Sequence, residues 1–255
     1  MTEVFAGGFT ALLPFILIGF AAQMVDGALG MAFGVISSTL LLSLGVSPAA
    51  ASAGVHTVET FTSGASGLSH ILHRNVDWRL FARLAIPGAF GGILGAYLLT
   101  QIDADLAKPF VLAYLGAIGL YLVWRGLHHP PTRKAPKIVE PLGLIGGFLD
   151  AAGGGGWGPV VTGNLLLQGT EPRRTIGTVS AAEFVLTVTI SATFIATLGW
   201  AAFTAATLGL LIGGVVAAPF AAWAAKHAAP KTLLILVGVL LSLTSIYGIY
   251  SALAG

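Results

Sequence analysis

The sequence contains no cysteine and very little charge. Without cysteine there is no disulfide, no thiolate nucleophile and no cysteine-based metal site. Charged residues make up 9% of the chain, against about 25% in a soluble globular protein. An ordinary water-facing surface is therefore excluded, and with it soluble enzymes, nucleic-acid binders and secreted modules. Charge is absent altogether from residues 4–25, 184–225 and 232–255. The N-terminus lacks a positive n-region and a small-residue cleavage signal, so it reads as a retained helix rather than a signal peptide. The six histidines have no metal-ligand spacing. What is there instead is 56% apolar residues, 35 glycines and a mean hydropathy of +0.90. A helix needs about 20 apolar residues to span hydrocarbon. Several stretches meet or approach that length, so the chain reads as a polytopic membrane protein.

The strongest internal signal is a repeat at an offset of 124 positions. Asp26 falls on Asp150, Gly30 on Gly154, Gly34 on Gly158, Gly45 on Gly169, Pro48 on Pro172 and Glu59 on Glu183. Leu41 and Leu42 fall on Leu165 and Leu166. Shared leucines mean little in a membrane chain. Acids shared at rare positions point to an internal duplication. Residues 1–127 form the first membrane repeat, 128–138 a linker and 139–255 the second repeat. The linker lies in the stretch from Arg125 to Glu140, where Pro130 and Pro131 stop the preceding helix.

Each half holds four hydrophobic elements, at about 4–45, 49–72, 80–100 and 108–125, then 139–168, 174–198, 202–225 and 231–252. The first element of each half is too long for one span. Residues 153–156 are four glycines, followed by Trp157, Gly158 and Pro159. Glycine costs about 1 kcal/mol and proline about 3 kcal/mol in a helix interior. The element is thus expected to be a hairpin of two short helices with a glycine-rich tip. If both hairpins return to the side they enter, eleven of the twelve Lys and Arg residues share one face and only Lys108 is opposite. The positive-inside rule favours that arrangement. It makes the repeats inverted, the linker cytoplasmic and both termini non-cytoplasmic.

The tips are the first candidates for chemistry. Asp26 to Gly34 forms one and Asp150 to Gly158 the other. A glycine-rich turn opening into a helix leaves backbone N–H groups free, and these attract anions. Unwound backbone inside a membrane occurs where it meets protein or a water-filled cavity. The alternative is that the glycines only let helices pack closely. No Lys-Ser or Lys-Thr follows them, so a nucleotide loop is a poor fit.

Asp26, Glu59, Asp150 and Glu183 lie inside hydrophobic elements with no Lys or Arg there to pair with them. An ionised acid at mid-membrane costs on the order of 3 kcal/mol. Such groups suit a proton carrier; equally, a neutral acid can be a helix–helix hydrogen-bond donor. His56 and Thr57 stand beside Glu59, and Ser180 is the repeat mate of His56. Gln23, Ser37, Ser38, Thr162 and Asn164 flank the breaks and can bind oxyanions without a full charge. Membrane Ser and Thr more often bond back to their own helix. His70, His73 and Arg74 read as surface anchors, and Trp78, Trp124, Trp200 and Trp223 as an aromatic belt.

The run from Gly153 to Pro159 resembles the TauE/SafE sulfite exporter family. So do the turn Gly45-Val-Ser-Pro48, the stretch from His70 to Trp78, and Pro87-Gly88 with Gly91-Gly92. The likeness covers nearly the whole chain. It implies export or import of sulfite, sulfonates and related organic anions. The first tip departs from the family pattern. Ala28, Leu29, Met31 and Ala32 interrupt its glycines, and Val35 stands where Pro159 stands in the second half.

The sequence thus predicts an all-α polytopic membrane protein of two four-element repeats, inverted, each starting with a Gly-broken helical hairpin. The expected function is secondary transport of a small anion, sulfite or an organosulfonate, coupled to protons, in the bacterial cytoplasmic membrane. A passive anion channel of the same fold is the alternative. A membrane enzyme fits poorly, since no nucleophile–base pair or metal site is legible. Substrate is expected at Gln23, Gly30, Gly34, Ser37, Ser38, Thr57, Gly153, Gly154, Gly155, Gly156 and Asn164. Proton coupling is expected at Asp26, His56, Glu59, Asp150 and Glu183. No cofactor, metal or nucleic acid is expected. The partners are a small anionic substrate and the lipid bilayer, with homo-oligomer formation left open.

Overall fold

The computed structural model describes residues 8–29, 31–128, 136–168, 170–202, 205–227 and 230–254. Gly30, Gly169 and most of the linker, 129–135, lie outside the described residues. Ten α-helices follow one another, with no strand among the described residues. They are α1 (Gly8–Leu29), α2 (Phe33–Ser43), α3 (Pro48–Leu72), α4 (Trp78–Gln101) and α5 (Ala104–Leu127). Then come α6 (Glu140–Gly153), a π-helical turn (Gly158–Thr162) leading into α7 (Gly163–Leu167), α8 (Pro172–Leu198), α9 (Ala205–His227) and α10 (Pro230–Ala254). Helices α4, α5 and α8 are each long and apolar enough to cross a membrane. Large apolar side chains such as Ile86, Phe110, Leu243 and Ile246 are exposed, as a lipid-facing surface requires.

Local chemistry sets the helix starts. Asp77 accepts from the N–H groups of Arg79 and Leu80 at the start of α4. Asp103 does the same for Asp105 and Leu106 at the start of α5. Each satisfies donors that the first helical turn leaves orphaned. Pro48 and Pro172 open α3 and α8, where a missing N–H costs nothing.

The segment from α6 to α7 returns to the side from which it starts. Gln168, just past α7, accepts from the N–H groups of Lys137 and Ile138, which precede α6, and donates to the Ile138 carbonyl. The same side carries the Arg83–Glu140 ion pair, joining the starts of α4 and α6. It also carries the bond from the Asp77 N–H to Thr178 near the start of α8. The 14 residues of α6 extend about 21 Å, enough to reach the bilayer interior without crossing it.

The first half breaks at the same repeat position. Helix α1 runs for 22 residues to Leu29, and Leu29 stands at the repeat position of Gly153, the last residue of α6. The two halves differ in the residues around the break. Ala32, just before α2, takes φ of 113°. That is a left-handed conformation that glycine adopts without penalty. In the second half Gly154, Gly155 and Gly156 supply the positive φ values.

Packing interleaves the two halves. Helix α1 lies along α9, and α6 lies along α4. A Cβ on Gly19 would overlap the Leu210 carbonyl, and one on Gly147 would overlap that of Gly88. Close backbone approach through small residues is how membrane helices associate when apolar burial gives no drive. Helices α3 and α8 pack together, as do α5 and α10. Along both pairs the contacts run antiparallel: Gly64 meets Phe184 while Gly67 meets Ala181, and Gly116 meets Ser245 while Val123 meets Gly238.

Candidate functional site

The two breaks meet. A Cβ on Gly34 would lie 2.8 Å from the Gly155 Cα and 3.0 Å from the Glu59 Oε1. A Cβ on Gly155 would collide with the backbone of Gly34 and Val35. Ser38, on α2, donates to the Gly154 carbonyl. The tip of the second hairpin therefore rests on the start of α2, backbone against backbone. Only glycine permits this approach, and φ of 152° at Gly155 disfavours other residues independently.

The same chemistry closes both hairpins. Asp26 Oδ1 accepts from the Phe33 N–H at 3.2 Å, and Asp150 Oδ1 accepts from the Trp157 N–H at 2.7 Å. Each acid caps a donor seven residues on, at the start of the returning limb. The donors, like the acids, are 124 positions apart.

The second oxygen of Asp150 meets His56. Asp150 Oδ2 lies 3.0 Å from His56 Nε2, and both side chains are essentially excluded from solvent. The other ring nitrogen is fixed by α3. His56 Nδ1 is 2.8 Å from the Ser52 carbonyl and 3.2 Å from the Ser52 Oγ. Ser52 Oγ in turn donates to the Ala151 carbonyl at 2.6 Å. A carbonyl can only accept, so Nδ1 carries its hydrogen. One further proton must then lie between Nε2 and Oδ2, either as imidazolium facing carboxylate or as imidazole facing acid. Without it, a ring lone pair would face a carboxylate. A buried, hydrogen-bonded histidine–aspartate clasp thus joins α3 to the tip of α6.

Glu59, one turn after His56, places its Oε1 against Gly34 at the start of α2. It is within electrostatic reach of Asp150, Glu183 and Asp26. The four sequence-predicted acids therefore gather around the meeting point. No group of histidines and acids among the described residues is arranged to hold a metal ion.

The polar residues divide. Ser37 is fully buried and its hydroxyl has no partner, so it is available at the start of α2. The Gln23 Oε1 is likewise buried without a partner, but it faces α9 near Gly214. Thr57 donates to the Ala53 carbonyl and Asn164 to that of Val160, each on its own helix. Their side chains are spent locally. Gly30 lies outside the described residues.

Two contributors escape the sequence reading. Ser52 carries a weak signal in being one turn before His56. Tyr114, on α5, carries none. Its ring abuts Gly153 and its hydroxyl abuts Gly156, where it is buried without a partner.

The family model described as sulfite exporter TauE/SafE matches residues 15–248. The probable membrane transporter protein YtnM of Bacillus subtilis (strain 168) is 44% identical over 238 residues. That alignment covers 89% of this chain and 79% of the relative. No solved structure matches the chain. A multi-pass membrane transporter, not an enzyme, is what the family match and the apolar helices together establish. The chain belongs to the sulfite exporter TauE/SafE family.

Proposed function

We propose that this transporter moves a small anion, a sulfur oxyanion or an organosulfonate, in company with protons. The carrying observation is the clasp between His56 and Asp150 beside a glycine tip. An anion entering here meets four acids and no Lys or Arg among them. Ionised carboxylates would repel it by several kcal/mol at short range in a partly dry site. Protonated, the same groups are neutral hydrogen-bond donors. Anion occupancy and protonation thus favour each other.

The clasp gives that coupling a moving part. With its proton, it ties α6 to α3. Without it, imidazole and carboxylate repel, and the α6 tip is held to α3 by the Ser52 hydroxyl alone. The repeat mate of Asp150 is Asp26, but the mate of His56 is Ser180. The two hairpins, which we read as inverted copies entering from opposite faces, would then differ. Only the second carries a histidine–aspartate clasp. Support for inversion comes from the antiparallel contacts along α3–α8 and α5–α10, since a two-fold axis in the membrane plane relates helices in that sense.

The test is uptake of labelled sulfite and methanesulfonate into proteoliposomes under an imposed pH gradient. Acceleration by an inward proton gradient, with trans-stimulation by internal anion, is expected. Uptake indifferent to both would favour the passive channel.

A further inference from the structure

We infer that Arg125, with Tyr121 and Tyr114, forms a one-sided anion relay along α5 that delivers substrate to the second tip from the linker side. This rests on the transport reading above and adds the residues that admit the anion.

The three side chains stand seven and four residues apart on one helix, hence on one face. That face turns toward the returning limb of the second hairpin. The Tyr114 hydroxyl abuts Gly156. A Cβ on Gly163 would lie 2.7 Å from the Tyr121 Oη and 3.3 Å from the Arg125 Nη1. Glycines at 156 and 163 therefore leave room for these polar heads between α5 and the hairpin. From Tyr114 to Arg125 the line covers about 16 Å, the rise of eleven helical residues.

None of the three is adequately satisfied. The Tyr114 and Tyr121 hydroxyls are buried with no hydrogen-bond partner. Arg125 is half-buried, and Nη1 donates to the Met31 Sδ at 3.2 Å. A thioether is a weak acceptor, and a guanidinium has five donors to place. Among the described residues no carboxylate pairs with Arg125. Buried polar groups are nearly always bonded, so two unmet phenols in line with a weakly partnered guanidinium point to an occupant with several acceptor oxygens. An oxyanion has that chemistry, and guanidinium is the side chain best matched to it.

The relay is confined to one half. At the repeat offset, Tyr114, Tyr121 and Arg125 fall on Gly238, Ser245 and Ile249. At those positions the other half has neither the cation nor the phenols. Apparent affinity should then differ between the two faces of the membrane. An arginine that merely anchors α5 at the interface would give no such difference.

Two measurements decide it. The first is thermal stabilisation of purified wild type, Arg125→Gln, Arg125→Lys and Tyr121→Phe by sulfite, methanesulfonate, acetate and phosphate. The second is KM for the stabilising anion from each face, in vesicles of defined orientation. Arg125→Gln should lose the stabilisation and raise KM from the linker face about tenfold or more. KM from the opposite face should stay unchanged, and Arg125→Lys should recover part of the loss. If acetate or phosphate stabilises and sulfur anions do not, the relay stands and the proposed substrate class fails. Wild-type stabilisation in Arg125→Gln, no stabilisation of wild type by any of the four, or an equal rise in KM from both faces would overturn the relay.

Discussion

Ser63 on α3 and Thr187 on α8 are 124 positions apart in the chain, and their hydroxyl oxygens lie 3.4 Å apart. Residues that coincide in a repeat can touch only where the axis relating the two copies passes between them. Here the flanking contacts run antiparallel, with Gly64 on Phe184 and Gly67 on Ala181. On the inverted-repeat reading proposed above, that axis would be perpendicular to the helices, in the plane of a membrane they would span.

A chain without cysteine makes this easy to probe. Ser63→Cys/Thr187→Cys should form an intrachain disulfide on mild oxidation, because the parent oxygens are already nearly in contact. The single variants should not cross-link. Failure of the pair to close, even with a short bifunctional thiol reagent, would mean that α3 and α8 meet elsewhere.

Sidedness follows from the same arrangement. His128 and Gln101, both exposed, lie at opposite ends of the α4–α5 pair. His128→Cys should label with a membrane-impermeant reagent only from the cytoplasm, and Gln101→Cys only from outside. Labelling of both from one face contradicts the topology.

Glycine positions separate site from scaffold. Gly155→Ala forces a Cβ into the backbone of Gly34 and Val35 and strains φ of 152°. Transport should fall at least tenfold, since a shift of about 1 Å at a site costs that much or more. Gly45 also has positive φ, 87°, but nothing lies within 4 Å of its would-be Cβ. Gly45→Ala should cost roughly 1 kcal/mol of stability from left-handed strain and leave transport intact. Thermal unfolding and uptake on the same preparations distinguish the two.

Glu183 has a simpler expectation. Glu183→Gln keeps a hydrogen-bond donor and removes titration. Binding and exchange should persist, while stimulation by a pH gradient is lost; Glu183→Ala should lose binding as well. Gradient-driven uptake by Glu183→Gln at the wild-type rate would make this carboxylate structural.

Much of the molecule is legible in the sequence because membranes impose strong patterns. Uncharged runs mark the helices, and four glycines before Trp157 mark a break that no helix survives. The acids stand out because hydrocarbon makes them costly. What the sequence hides is pairing across distance. His56 and Asp150 are 94 residues apart, so nothing local shows that one ring nitrogen of His56 is held by Ser52 while the other meets an acid. Arg125 reads as a loop anchor, because proximity to the linker accounts for a cation there without any ligand. The conformation at Ala32 is hidden as well, because nothing in the residue type marks a φ of 113° just before α2.

The central claim is that a proton held between His56 and Asp150 couples anion movement to the pH gradient. Asp150→Asn addresses it with little disturbance. The amide oxygen can still accept from the Trp157 N–H, and the amide N–H can donate to His56 Nε2, which mimics the protonated clasp while removing its titration. The decisive measurement is sulfite uptake into proteoliposomes with and without an inward proton gradient, beside sulfite exchange at equal pH. The account predicts that Asp150→Asn retains exchange and loses the gradient's acceleration. Acceleration equal to that of the wild type would contradict it.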